Sequence, residues 1–256
     1  MSHLRRILLA LVAVAAFGGM SAQAGEGTDL TISGQLDWAS KYVWRGILVN
    51  DDAVVQPSVT VGYSLGDAGD LSLNIWGNID TNNAYNREDN FQEVDYTLAY
   101  SKALDECYTL GAGAIVYDFP GQGTPTTTEL FVTLAAAVPL SPVLSVYYDI
   151  DEVDGWYVNL AGSHEIALAD IHENLSLILA SSIGWGSEDW IGAYTGVNDA
   201  ALVAISPSAT VTYTASEKLS FSWYAKYDYL LDNDVRNAVA ADASNFWFGT
   251  NVAVSF

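Results

Sequence analysis

Basic residues, histidine and cysteine are all scarce in this 256-residue chain, with 9 Lys and Arg against 31 Asp and Glu, 3 His and 1 Cys. The acidic balance excludes a surface built to neutralise phosphates, and with it nucleic-acid binding. A single cysteine, Cys107, excludes an intrachain disulfide framework, a Cys-based zinc site and a CxxC redox pair. Only His164 and His172 lie beyond the first 24 residues, which leaves little for His-based metal or triad chemistry. What the chain has instead is 12% aromatic content, including 8 Trp and 15 Tyr, which is too aromatic for disorder.

Arg5 and Arg6 precede an apolar run from Ile7 to Phe17, followed by Gly18, Gly19 and Ala22-Gln23-Ala24. This is the layout of a cleavable secretory leader, and the run is shorter than the roughly 18 to 20 apolar residues a membrane anchor needs. We therefore expect residues 1–24 to be removed and residues 25–256 to form one domain. That domain keeps 7 basic residues against 31 acidic ones, a net charge of −24. Its longest apolar stretch, Leu130 to Val138, is too short to span a bilayer as a helix and contains Thr133.

Period-two alternation runs along the whole remaining chain. Leu30, Ile32, Gly34, Leu36, Trp38, Ser40, Tyr42 and Trp44 fall on one flank of an extended segment, and Thr31, Ser33, Gln35, Asp37, Ala39 and Lys41 on the other. The same division separates Val55, Val59, Val61 and Tyr63 from Gln56, Ser58 and Thr60, and Val94, Tyr96, Leu98 and Tyr100 from Glu93, Asp95 and Thr97. Further strands are expected near 108–118, 128–138, 143–150, 156–165, 175–185, 201–213, 219–230 and 246–256, making about twelve. Compact turns (66–70, 102–106, 139–142, 215–218) alternate with mostly longer polar loops (45–53, 81–90, 119–127, 186–200, 231–244). This predicts an all-β fold, a transmembrane up-and-down antiparallel β-barrel with both termini periplasmic. Pro207 cannot donate a ladder hydrogen bond and predicts a bulge or bend in the tenth strand.

A secreted β-sandwich or lipocalin-like barrel would also alternate, with its apolar flank inside. Two features count against it. Aromatic residues gather at strand ends on the apolar flank: Tyr42, Trp44, Trp156, Trp185, Tyr227, Tyr229, Phe246 and Phe248 toward the loops, and Tyr63, Tyr100, Tyr108, Tyr213 and Phe256 toward the turns. Two such rings suit two membrane interfaces. The opposite flank is rich in Ser, Thr, Asn and Gly and holds carboxylates at mid-strand, as expected of a water-filled interior.

The chain ends Asn251-Val252-Ala253-Val254-Ser255-Phe256, which resembles the terminal signal read by the barrel-assembly machinery of bacterial outer membranes. Ser40-Lys41-Tyr42-Val43-Trp44-Arg45-Gly46-Ile47, followed by Val54-Val55-Gln56-Pro57-Ser58-Val59, resembles the opening of the TorF-type porins, a bacterial family of otherwise unknown function. Glu93-Val94-Asp95-Tyr96, Tyr117-Asp118-Phe119-Pro120-Gly121 and Thr128-Glu129-Leu130-Phe131-Val132 are similar to later segments of that family. Leu48 and Val49 depart from it, standing where polar residues are expected. The resemblance implies an outer-membrane barrel acting as a pore, with no assigned solute.

On this register the pore-lining candidates are Asp37, Lys41, Glu93, Asp95, Glu129, Asp149, Lys226 and Asp228, with Arg45 at the loop-side mouth and Asp80 and Glu165 sharing the same flank. Acids outnumber bases, so a narrow bore is expected to concentrate cations. Arg45 and Lys41 facing Glu93 or Glu129 across the bore would make a transverse field; alternatively these groups are structural salt bridges. Trp76, Phe131, Tyr147, Tyr157, Tyr224 and Trp247 are expected inside and would narrow the passage. The acidic segments Asp51-Asp52, Asp151-Glu152-Val153-Asp154 and Asp232-Asn233-Asp234 lack a complete calcium-loop spacing and read as solvated loops or weak divalent contacts with lipopolysaccharide. Ser163 and His164, adjacent in a strand, point to opposite faces and cannot pair as a local hydrolase dyad. The expected function is passive diffusion of small hydrophilic solutes with cation preference, without enzyme activity, cofactor or metal. The alternatives are a non-conducting barrel with a structural or surface-binding role and, last, a lipid hydrolase. Outer-membrane lipid and lipopolysaccharide, the assembly machinery acting through Phe256 and small solutes are the expected partners.

Overall fold

The computed structural model describes residues 29–82, 91–239 and 242–256. The expected leader 1–24 and most of the predicted loop 81–90 lie outside the described residues. The wall begins with β1 (Leu30–Ala39), after which β2 (Tyr42–Trp44) and β3 (Ile47–Asn50) form a separate hairpin. It continues through β4 (Val54–Ser64), β5 (Asp70–Asp80), β6 (Phe91–Ala103), β7 (Tyr108–Asp118), β8 (Thr127–Ala136) and β9 (Val143–Asp149). The second half comprises β10 (Trp156–Ala167), β11 (Leu175–Gly186), β12 (Ala201–Ile205), β13 (Ser208–Ser216), β14 (Leu219–Leu230) and β15 (Ser244–Ser255).

Every wall strand pairs antiparallel with its sequence neighbours, and β1 also pairs with β15, so the sheet has no free edge. The seam runs from Ser33 opposite Ser255 to Ala39 opposite Gly249 and is extended by Phe256 N–H donating to the Ile32 carbonyl at 2.9 Å. Closure matters because each amide or carbonyl left unpaired in hydrocarbon costs several kcal/mol. β12 and β13 act as one strand broken at Ser206-Pro207, which gives twelve staves. The break is where proline was expected to disturb the ladder. Ser206 N–H still reaches the Ser182 carbonyl (2.9 Å) and Tyr227 N–H the Pro207 carbonyl (3.0 Å), so the wall stays continuous.

The apolar flank faces outward. Leu71, Leu73, Ile75, Tyr96, Leu98, Leu130, Val132, Leu134, Leu160 and Trp223 are all exposed on the outer surface. Trp38, Trp156, Trp185, Tyr227, Tyr229, Phe246 and Phe248 are exposed near the loop end, where Trp156 stacks on Tyr148 at 4.4 Å and Trp38 meets Phe248 at 6.0 Å. Tyr63 and Tyr108 are exposed at the opposite end. Tyr42 and Trp44 do not belong to this outer ring. The chain bends at Ser40-Lys41, and the β2–β3 hairpin carries both rings into the bore, where Tyr42 is buried. Strict alternation continues through the bend, so parity alone assigns them to the wrong side.

Leu98 lies near the middle of β6 with 57% of its surface exposed. Leu98→Arg should lower the unfolding free energy in lipid vesicles by about 2–4 kcal/mol, the cost of a cation on the lipid face near the midplane. An unchanged unfolding curve would show that this flank does not meet lipid.

Candidate functional site

The β2–β3 hairpin is the dominant feature of the loop-end mouth. Its turn is Arg45-Gly46, both at positive φ (51° and 85°). Gly46 is required twice over, since a Cβ there would be strained and would meet the Ala204 side chain at 2.3 Å. The turn therefore sits directly on the far wall and delivers Arg45 across the bore. Arg45 Nη1 and Nη2 donate to Glu129 Oε1 and Oε2 at 2.7 and 2.6 Å, a bidentate pair. The Tyr117 hydroxyl donates to the same carboxylate at 2.9 Å. The guanidinium also lies 4.3–4.4 Å from the ring centres of Trp44, Tyr147 and Tyr157. Tyr42 latches the hairpin to a second wall position, donating to Glu93 Oε2 at 3.0 Å.

Two outer loops close over the hairpin. The helix Glu188–Thr195 is capped by the Ser187 hydroxyl and drops Trp190 and Ile191, both at 0% exposure, against Tyr157 and Trp44. The helix Asn233–Val239 adds Val235, beside Val203 and Leu230 of the wall. Fully burying Ile191, Val203 and Val235 contributes about 1.5–3 kcal/mol each. A small dry core therefore sits at one end of an otherwise polar bore. Gly184 leaves room for the Tyr157 hydroxyl, which would lie 2.1 Å from a Cβ there.

The candidates divide into committed and uncommitted groups. Arg45 and Glu129 are in direct contact, the structural salt bridge expected as the alternative to a transverse field: the hairpin brings the opposed charges together. Lys41 likewise pairs with Asp51, just past the hairpin's return strand. Asp149 accepts from Thr127 Oγ1 (2.7 Å) and from the amides of Asp151 (3.0 Å) and Val153 (3.1 Å), so it ties down the short loop that follows it. Asp228 accepts from Ser206 Oγ (2.5 Å) and Trp247 Nε1 (2.7 Å). Asp37 accepts from the Tyr224 hydroxyl and from Asn251 Nδ2 (3.0 Å). Asp80 is buried and accepts from Asn78 Nδ2 at 2.8 Å. Asp95 faces inward with one buried carboxylate oxygen that has no hydrogen-bond partner among the described residues. Lys226 lies over the rings of Trp247 (4.8 Å) and Tyr224 (5.3 Å). Glu165 is exposed near the turn end, away from this cluster.

The six bulky residues Trp76, Phe131, Tyr147, Tyr157, Tyr224 and Trp247 all sit on inward-facing positions, several in mutual contact. Between the hairpin and the wall from β9 to β15 remains a cavity of about 420 Å³. Sequence reasoning missed the hairpin and both helices. The available signals were the apolar triplet Ile47-Leu48-Val49 and the pair Trp190-Ile191 inside segments that otherwise read as solvated loops. Of the acidic outer segments, Asp232 caps the second helix, accepting from the amides of Asp234 (2.8 Å) and Val235 (3.0 Å). Among the described residues, no group of three or more His, Cys, Asp or Glu is placed to hold a metal ion. His164 lies opposite the exposed Leu179 and so points outward, whereas Ser163 lines the cavity.

No family model and no curated protein matches the sequence. Solved structures do match the fold. An outer membrane channel from Pseudomonas putida F1 superposes with a TM-score of 0.53 at 14% identity, covering 92% of this chain and 98% of that one. The KdgM porin gives a TM-score of 0.51 at 7% identity, covering 88% and 99%. LpxR from Salmonella typhimurium gives 0.49 at 9% identity, covering 87% and 99%. At these identities the likeness is one of architecture: the chain has the twelve-stranded barrel fold found in outer-membrane channels.

The hairpin's attachment makes a direct prediction. Glu129→Gln leaves a buried guanidinium with a neutral partner, and breaking such a pair costs about 3–5 kcal/mol. The hairpin should detach and trypsin should cleave after Arg45 in the folded barrel, with the wild-type bond resistant under the same conditions. Equal resistance in both would show that the ion pair does not hold the hairpin.

Proposed function

We propose that the chain is an outer-membrane porin of the TorF type, a single barrel with periplasmic termini through which small hydrophilic solutes diffuse, cations preferentially. Export by the cleaved leader, assembly through the Phe256 signal and an outer-membrane location belong to the same proposal. The observation that carries it is the polar interior, which includes a cavity of about 420 Å³ below the hairpin. Around the bore, Asp37, Asp80, Glu93, Asp95, Glu129, Asp149 and Asp228 outnumber the inward cations Lys41, Arg45 and Lys226, two of which are already paired. The remaining carboxylates, all but Asp95 hydrogen-bonded to neutral donors, have no cation against them within 4.0 Å among the described residues, and low-dielectric walls focus the field of a carboxylate lining. The hairpin is the constriction that sets which solutes pass.

A second reading, a barrel closed to conduction, is favoured by the dry cluster of Trp190, Ile191, Val203 and Val235 at the mouth. Planar bilayers separate the two: discrete current steps with a cation-favouring reversal potential support the pore, and silence at high protein load supports the closed barrel. In a conducting channel, Glu93→Gln combined with Asp95→Asn should move the reversal potential toward zero. Unchanged selectivity would remove both residues from the conduction path.

A further inference from the structure

The cavity under the hairpin is unevenly furnished. Its β10–β13 side carries small inward residues, among them Ser163, Ser182 and Ser208, with Asn159 above them. The rings of Tyr147 and Tyr157 on β9 and β10 and of Trp247 on β15 complete the lining. At about 420 Å³ it is within the range of small-molecule sites, and it is open to solvent.

Hydrogen-bonding capacity is what sets this space apart from the rest of the bore. The other inward charged groups near it are already engaged: Asp228 by Ser206 and Trp247, Asp37 by Tyr224 and Asn251, Arg45 by Glu129. Lys226 is not. Its ammonium has three donors, rests on the Trp247 and Tyr224 rings, and among the described residues has neither a hydrogen-bond acceptor within 3.5 Å nor a carboxylate within 4.0 Å. The side chains of Asn159, Ser163, Ser182 and Ser208 also make no hydrogen bond to another described residue. Ser208 stands directly opposite Lys226, which stands opposite Trp247, so hydroxyl, ammonium and ring form one row across β13, β14 and β15.

We propose that this cavity is a binding subsite for a small polyhydroxylated carboxylate. Lys226 receives the carboxylate in charge-assisted hydrogen bonds, the serine and asparagine side chains pair with the hydroxyls, and the rings cover the apolar face of the solute. A solute cation is disfavoured at this point by the Lys226 ammonium, which itself lines the cavity. The acidic lining selects mobile ions by its summed field, whereas this subsite retains one class of solute by local contacts. The subsite rests on the pore reading only for the route by which solute arrives.

The test is isothermal titration calorimetry of the full folded barrel in detergent, with gluconate, the neutral polyol sorbitol and the cationic sugar glucosamine as probes. Gluconate should bind saturably, and sorbitol and glucosamine at least about tenfold more weakly, the worth of one charged hydrogen bond. Lys226→Met should weaken gluconate at least about tenfold without changing the sorbitol signal, and Lys226→Arg should restore most of the loss. If Lys226→Met fails to fold, as judged by heat-dependent gel mobility, Ser182→Ala with Ser208→Ala takes its place and should weaken gluconate and sorbitol alike. The proposal is overturned by gluconate binding that survives Lys226→Met, by glucosamine binding as well as gluconate, or by no saturable gluconate binding to the folded wild type. Because binding is read without conduction, silent bilayers with gluconate bound would reject the pore and keep the subsite. Conduction without binding would do the reverse.

Discussion

Hydrocarbon offers no partner to a backbone amide, and that constraint organises the whole molecule. It forces the sheet to close, β1 onto β15, and it demands that the break at Pro207 be bridged by Ser206, Ser182 and Tyr227. Once the sheet is closed, the pleat alone decides what each residue meets. One flank of every strand is handed to lipid and the other to a confined interior, and the sequence obeys this with an oily outer surface and a hydroxyl- and carboxylate-bearing inner one.

The interior then poses a different problem, because charged groups within a low-dielectric wall must be solvated by something. The chain does this mostly from within. Glu129 is met by Arg45 and Tyr117, Glu93 by Tyr42, Asp228 by Trp247 and Ser206, and Asp149 by the amides of its own loop. The inward hairpin is the device that makes several of these pairings possible. It crosses the bore, supplies the guanidinium and is then roofed by two short helices, so the mouth is apolar and packed. Lys226, its serine neighbours and one oxygen of Asp95 are left without a hydrogen-bond partner among the described residues.

Much of the wall was legible in the sequence because period two is a local property of the chain: strand limits for β7 and β14 and the disturbance at Pro207 follow from residues a few positions apart. The inward positions of Glu129 and Asp228 follow in the same way. Arg45 was expected to face Glu93 or Glu129 across the bore, but the route by which it meets Glu129, 84 positions away, was not legible, because it depends on the bend at Ser40-Lys41 and the inward hairpin. Alternation continues unbroken across that bend, so Tyr42 and Trp44 read as lipid-facing although they are inside. The misplaced oil of Ile47, Leu48 and Val49 was the one local sign that the segment was not an ordinary outer loop.

The eight tryptophans give the most direct test of which flank meets lipid. Trp38, Trp156, Trp185 and Trp223 lie on the outer flank, and Trp44, Trp76, Trp190 and Trp247 on the inner one. In variants that keep one tryptophan each, reconstituted into bilayers of brominated lipid, the first four should be strongly quenched and the second four spared. Quenching of the inner set with sparing of the outer one would contradict the account.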